Sequence, residues 1–131
     1  MADTGFLVAF ANRGDRYHDW AVSVAEQVTE PLLTCEPVLA ETAFHLESVP
    51  TVLAMLREGL IELAFDCGEH LPQLAVLAKR YADRKPDLAD LCLIRMSELH
   101  LRHSVVTVDR EDFRVFRRNQ REVIPLVCPP D

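Results

Sequence analysis

The stretch from Asp87 to Leu99 constrains this chain most. Leu88, Leu91, Cys92, Leu93, Ile94, Met96 and Leu99 make a helix over it apolar on nearly every side. Such a helix has no solvent face and belongs at the centre of a fold. Pro86 and Asp87 open it, with Asp87 suited to the N-cap. Shortly after, Val105, Val106 and Val108 form a β-branched run that ends at Asp109. A continuous run of this kind suits a strand buried on both faces of a parallel sheet.

The remaining segments alternate in the same way. Asp15 can cap a helix carrying Tyr17, Trp20, Ala21, Val24 and Val28 at helical spacing. Leu32-Leu33 is a short apolar run. Thr34 then reads as the cap of a helix with Pro37 in its first turn and Val38, Glu41, Phe44 and His45 on one side. Ser48 and Pro50 restart a short helix that Gly59 ends. Leu60 to Phe65 reads as a strand, and Leu71, Leu74, Ala75, Ala78 and Tyr81 as a helical stripe. Val123 to Val127 reads as a last strand, placed at an edge by Pro125. Periodicity leaves residues 4 to 11 readable as a strand. Strands alternating with helices predict an α/β sandwich with helices on both faces. Its 131 residues make one domain, 1–131, able to bury about two-thirds of its unfolded surface.

Composition excludes other classes. With 49% hydrophobic residues spread throughout, the chain is not disordered. No apolar run approaches the roughly 20 residues of a membrane span, and Met1-Ala2-Asp3 does not open a signal peptide. Cys35, Cys67, Cys92 and Cys128 form no CxxC pair, so reduced thiols in a cytoplasmic protein are expected. A net charge of -7 does not mark a nucleic-acid binder by bulk electrostatics. It leaves open where the charges cluster.

The informative residues are acids among apolar ones. Asp3 precedes Phe6-Leu7-Val8-Ala9-Phe10, Glu41 is at helical spacing from Val38 and Phe44, Asp90 lies one turn into the apolar helix, and Asp109 ends the valine run. Ligands of open α/β sheets bind beyond the carboxyl ends of strands, which is where Asp109 falls. Each acid alone has a plain structural role. Asp87 and Asp90 suit a helix N-terminus, Glu41 a half-exposed helix face, Asp109 a turn with Arg110. Four together are tolerable around a hard divalent cation, Mg²⁺ or Mn²⁺, of the kind that activates water in phosphodiester cleavage.

At these residues the chain resembles the PIN-domain ribonucleases, and among them the VapC-type toxins of bacterial toxin–antitoxin pairs. Asp3-Thr4-Gly5-Phe6-Leu7-Val8-Ala9 is similar to the family's first acid followed by a small hydroxyl residue and an apolar helix. Leu39-Ala40-Glu41 resembles the second acid on its helix. Residues 81–90 resemble the block ending in the third acid, here Asp90. Val106-Thr107-Val108-Asp109-Arg110-Glu111-Asp112-Phe113 resembles the strand-end block, with Asp109 as fourth acid and Thr107 as its hydroxyl. The resemblance spans essentially the whole chain. It implies a three-layer α/β/α sandwich on a mostly parallel central sheet, and it turns residues 4 to 11 into a helix. It also implies a Mg²⁺- or Mn²⁺-dependent endoribonuclease, an antitoxin that blocks the site, and a homodimer. The chain departs from the pattern twice. Only Met1 and Ala2 precede Asp3, so the first strand is a stub or the true start lies upstream. Leu91-Cys92 follow Asp90 where small residues are common, which tightens packing beside the site.

In this reading Asp3, Asp90 and Asp109 hold the metal, and Glu41 positions or deprotonates the attacking water. Asp87, Thr4, Thr107 and Asp112 are possible additions. Five arginines from Arg110 to Arg121 form a local basic patch in which Arg110, Arg114, Arg117 and Arg118 are the candidate RNA contacts. A solvated helix face or an antitoxin surface would explain them equally, and Arg13 and Arg16 could line the same groove. His100 and His103 fit a helix end better than a metal pair. Two rivals differ in class: a non-catalytic PIN-like module that binds RNA or protein, and a metal-dependent DNase.

Overall fold

A computed structural model describes residues 1–130. The helices are α1 (Thr4–Ala11), α2 (His18–Gln27), α3 (Glu36–Leu46), α4 (Val49–Arg57), α5 (Leu71–Arg80), α6 (Leu88–Leu99) and α7 (Arg110–Val115). The strands are β1 (Leu32–Thr34), β2 (Ile61–Leu63), β3 (Val105–Val106), β4 (Arg117–Arg118), β5 (Glu122–Val123) and β6 (Leu126–Val127). The chain folds as an α/β/α sandwich.

Residues 1–3 hold its centre. Ala2 bridges Val106 in parallel. Its N–H donates to Leu33 O at 2.8 Å, and Asp3 N–H donates to Val106 O at 3.1 Å. This short segment joins two parallel pairs, β1 with β2 and β3 with β6, into one layer ordered β2, β1, residues 1–3, β3, β6. β1 with β2, β3 with β6, and Ala2 with Val106 all pair in parallel, so the carboxyl ends within each share one edge. Asp3 and Asp109 both follow strand residues at that edge.

The helix α6 buries Ala89, Leu91, Cys92, Leu93, Ile94, Met96 and Ser97. It packs on α3, α5 and β4, as its all-round apolar surface demands. Leu91 and Cys92 fill the space beside Asp90. The helix α1 packs on α2 and α3. A Cβ at Gly5 would come within 2.4 Å of Val108 Cγ2, so only glycine lets the first turn of α1 approach the end of the valine run this closely. No helix of the described residues is long and apolar enough to cross a membrane.

Several elements differ from the sequence reading. Residues 4 to 11 are helical, as the resemblance implied and periodicity did not. Thr34 is not a helix cap: it ends β1, buried, and its hydroxyl donates to Ala2 O at 3.0 Å, leaving Cys35 as the N-cap of α3. The strand in Leu60–Phe65 is only Ile61–Leu63. The segment Val123–Val127 splits at Ile124-Pro125 into β5, paired antiparallel with β4, and β6, paired with β3. Proline cannot donate to a ladder, so the chain changes partner there. Asn119 and Gln120, both at positive φ, turn the β4–β5 hairpin.

Candidate active site

The carboxyl edge of the sheet gathers the acids through two threonine hydroxyls. Asp3 is buried, 7% exposed, and caps α1: its Oδ1 accepts from Thr4 N–H at 2.8 Å. Its Oδ2 accepts from Thr107 Oγ1 at 2.6 Å. Thr107 Oγ1 in turn accepts from Asp109 N–H at 2.9 Å, which ties the first and last acids to one side chain. Thr4 Oγ1 donates to Glu41 Oε1 at 2.8 Å and brings α3 to the same place. The hydroxyls of Thr4 and Thr107 are therefore structural members of the cluster.

The other two acids share a helix end. Asp90 N–H donates to Asp87 Oδ1 at 2.9 Å, and Asp87 N–H donates to Asp90 Oδ2 at 3.3 Å. This reciprocal pair is a capping box with aspartate in both positions. Asp109 likewise caps α7, its Oδ1 accepting from Asp112 N–H at 3.1 Å. The plain structural roles of Asp87, Asp90 and Asp109 are thus real, and they coexist with clustering.

Electrostatics shows the clustering. Burial pushes the Asp3 carboxyl up to about 6; the Thr107 and Thr4 hydrogen bonds oppose that shift, while Asp109 and Asp87 add repulsion. Burial pushes Asp90 up to about 8, with Asp87, Asp3 and Asp109 repelling its charged form. Glu41 is raised by burial against the opposing Thr4 bond, with Asp87 adding to the rise. Asp109 is raised by burial and by the neighbouring Asp112 and Asp87. Asp87 repels all four acids, and Asp112 acts on Asp109 alone. Perturbed carboxyls concentrated in one place are a feature of functional sites.

Among the described residues, no three His, Cys, Asp or Glu side chains form a ready-made metal cage. Each carboxylate accepts from a backbone N–H or a hydroxyl. The donor set still fits a hard cation. Mg²⁺ binds through one or two carboxylates and keeps several waters, so it needs no all-protein cage. A positive charge here would also relieve the repulsion that raises these acids.

A groove leads away from the acids. Arg16, Tyr17, Val108, Asp109, Arg110 and Cys128 line a cavity of about 280 Å³. Thr4, Gly5, Val8, Arg16, Tyr17, His45 and Val108 line an adjoining one of about 440 Å³. Arg16, Tyr17 and Val108 belong to both, and the Arg16 guanidinium lies over the Tyr17 ring at 4.9 Å. Helical spacing puts Tyr17 in an apolar stripe and His45 on a helix face with Glu41. Neither spacing nor composition signals their place in this groove.

The arginine patch does not survive intact. Arg118 is buried, and its guanidinium donates to Glu122 and to the carbonyls of Ser97, in the last turn of α6, and Leu101, just past it. Its role is to tie the β4–β5 hairpin to α6, which corrects its assignment as an RNA contact. Arg117 folds back, donating to the carbonyls of Arg114 and Phe116. Arg110 lines the groove and donates to Pro129 O at 2.8 Å. Arg114 is exposed. His100 is the C-cap of α6, with the His103 ring 5.5 Å away.

Comparison with known proteins places these features. Residues 1–119 match the family described as PIN domain. The chain is also similar to a protein of Mycobacterium tuberculosis named Ribonuclease VapC26, with 26% identity over 124 residues covering 89% of this chain and 91% of that protein.

Proposed function

From its membership of the PIN-domain family, to which this chain belongs, we propose that the chain is a Mg²⁺- or Mn²⁺-dependent endoribonuclease and the toxin of a toxin–antitoxin pair. The observation that carries this reading is that Thr107 and Thr4, by their hydrogen bonds, tie Asp3, Asp109 and Glu41 together at the end of the sheet, with Asp90 near enough to Asp3 and Asp109 for its carboxyl to be raised by them. The similarity to a protein named as a VapC ribonuclease supports it.

Asp3, Asp90 and Asp109 are the residues that would hold the cation, which would supply Lewis-acid polarisation of a phosphate and a more acidic water. Glu41, oriented by the Thr4 hydroxyl and raised above the ordinary glutamate range, accepts the proton of the attacking water. Thr107 fixes Asp3 and the backbone of Asp109 relative to each other. Arg16 and Arg110 flank the groove and meet phosphates of the strand, and the exposed Arg114 and half-buried Arg117 are further candidates for phosphate contact. The same reading assigns the chain an antitoxin that covers the acids, a second copy as homodimer partner, and a cytoplasmic location.

The test is cleavage of RNA by the purified chain, with DNA in parallel. Mn²⁺ should switch cleavage on and a chelator should switch it off. Mn²⁺ at about 100 times its Kd should also stabilise the fold by about 2.7 kcal/mol. RNA bound but left intact with Mn²⁺ present would favour a non-catalytic binding module. Cleavage of DNA alone would favour a DNase.

A further inference from the structure

Three thiols meet at a junction that the acids do not use. Cys35 caps α3, Cys92 lies in the second turn of α6, and Cys67 opens a short 3-10 turn, Cys67–Glu69. The Cys67 and Cys92 sulfurs are 3.4 Å apart, in direct contact, across 25 positions of sequence. The Cys35 thiol is near enough to act on Cys92 and, with burial, pushes its thiol up. Their surroundings differ: Cys35 and Cys92 are fully buried, while Cys67 is half-buried and lines a cavity of about 510 Å³ with Ala40, Phe65 and Leu88. An accessible thiol therefore touches an inaccessible one. Filling a core needs neither the contact between sulfurs nor an opening to one of them.

We propose that Cys67 and Cys92 form a reversible dithiol–disulfide site that a small peroxide oxidises through the cavity at Cys67. The Cys67 sulfur attacks one peroxide oxygen. A sulfur–oxygen bond forms, the oxygen–oxygen bond breaks and hydroxide leaves as water with the Cys67 proton, so sulfur is oxidised by two electrons and the peroxide reduced. The Cys92 sulfur then attacks the Cys67 sulfenic acid. The sulfur–sulfur bond forms, the sulfur–oxygen bond breaks, and hydroxide leaves as water with the Cys92 proton. Two thiols and one hydrogen peroxide thus give one disulfide and two waters.

A disulfide is about 2.05 Å long, so the sulfurs must close by roughly 1.4 Å. The 3-10 turn is the partner that moves, because it is short and partly exposed while Leu91, Cys92, Leu93 and Ile94 are packed in the core. The bond straps that turn to α6 two residues after Asp90.

The experiment uses the full chain and hydrogen peroxide, followed by blocking of free thiols and peptide mapping without reductant. The expected product is a monomer lacking two hydrogens, with the peptide of Cys67 joined to that of Cys92 and both thiols restored by dithiothreitol. Cys67→Ser should abolish the bond, and Cys35→Ser should leave it. Four blockable thiols after peroxide, over-oxidised Cys67 without a cross-link, a Cys35–Cys92 bond, or cross-linked dimers alone would each overturn the proposal. The readout uses no RNA, so its failure and that of the nuclease reading are separate results.

Discussion

The acids and the arginines of this chain behave in opposite ways. Asp3, Glu41, Asp90 and Asp109 are scattered over more than a hundred positions, yet the fold brings them to one edge of the sheet. The five arginines from 110 to 121 fall within twelve residues, yet the fold separates them. Arg110 lines the groove, Arg114 is exposed, Arg117 folds back on its own backbone and Arg118 is buried. The difference lies in what positions each residue. Asp3, Asp90 and Asp109 sit at helix starts, and Glu41, in the middle of α3, is brought to them by the Thr4 hydroxyl. The arginines run through a short helix, a change of direction and a hairpin, where neighbours in sequence point to different environments. Proximity in sequence is therefore poor support for a shared surface, and position at strand ends is good support for a shared site.

The largest expected effect breaks or keeps the acidic side of that contrast. Asp3→Asn should lower RNA cleavage by at least about 10²-fold, on the scale of a positioned catalytic group, while leaving a folded protein. Its amide oxygen can still accept from the Thr107 hydroxyl. A folded Asp3→Asn protein that cuts RNA at the parent rate would show that the cluster is not the catalytic centre. On the arginine side, Arg118→Ala should cost about 1–3 kcal/mol of stability, because the carbonyls of Ser97 and Leu101 lose a charged donor. Denaturant unfolding measures this, and RNA affinity of the folded variant should match the parent. A stable variant with weakened RNA binding would return Arg118 to the binding surface.

Much of this was legible in the sequence because it depended on burial or on element ends. The central helix followed from Leu88 to Leu99, and the strand edge from Val105, Val106 and Asp109. The approach of the acids followed from their place in the α/β order. What the sequence hid was tertiary. Thr34 looks like a helix cap, yet its hydroxyl is claimed by Ala2 O in the sheet. Arg118 looks like its exposed neighbours, and only the pairing of β4 with β5 turns it inward. Tyr17 lines the groove because the turn at Asp15, whose Oδ1 accepts from Tyr17 N–H at 2.8 Å, sets its direction. Residues 4 to 11 have no helical amphipathicity to read, because α1 buries Phe6, Leu7 and Ala9 on several sides.

A smaller effect tests the repulsion itself through pH. Asp90 titrates near 8 and Asp3 near 6 when folded, both above the ordinary aspartate value. In the metal-free protein each therefore contributes stability that is complete below about pH 4 and is lost as pH rises through the folded value. Asp90→Asn removes one charge from the set facing Asp87, Asp3 and Asp109. The metal-free variant should melt level with the parent near pH 4 and above it near pH 8.5, and added Mn²⁺ should stabilise the parent more. A variant that melts below the parent at both pH values would mean that capping, not repulsion, dominates at Asp90.

The smallest effect decides whether any exposed arginine outside the groove contacts RNA. Arg114→Ala should change stability by less than about 0.5 kcal/mol, since the side chain is exposed. If its guanidinium neutralises one phosphate of a single strand, the slope of log affinity against log salt should fall by about 0.7. Between 50 and 200 mM salt the parent would then lose roughly 2.6-fold more affinity than the variant. A change that small needs the whole titration, with parent and variant measured on one RNA in the catalytically silent Asp3→Asn background. Arg118→Ala in the same background should leave the slope where it is, because a buried guanidinium releases no counterion from RNA. Equal slopes for parent and Arg114→Ala would confine the phosphate contacts to the groove at Arg16 and Arg110, leaving Arg114 to the solvent or to a protein partner.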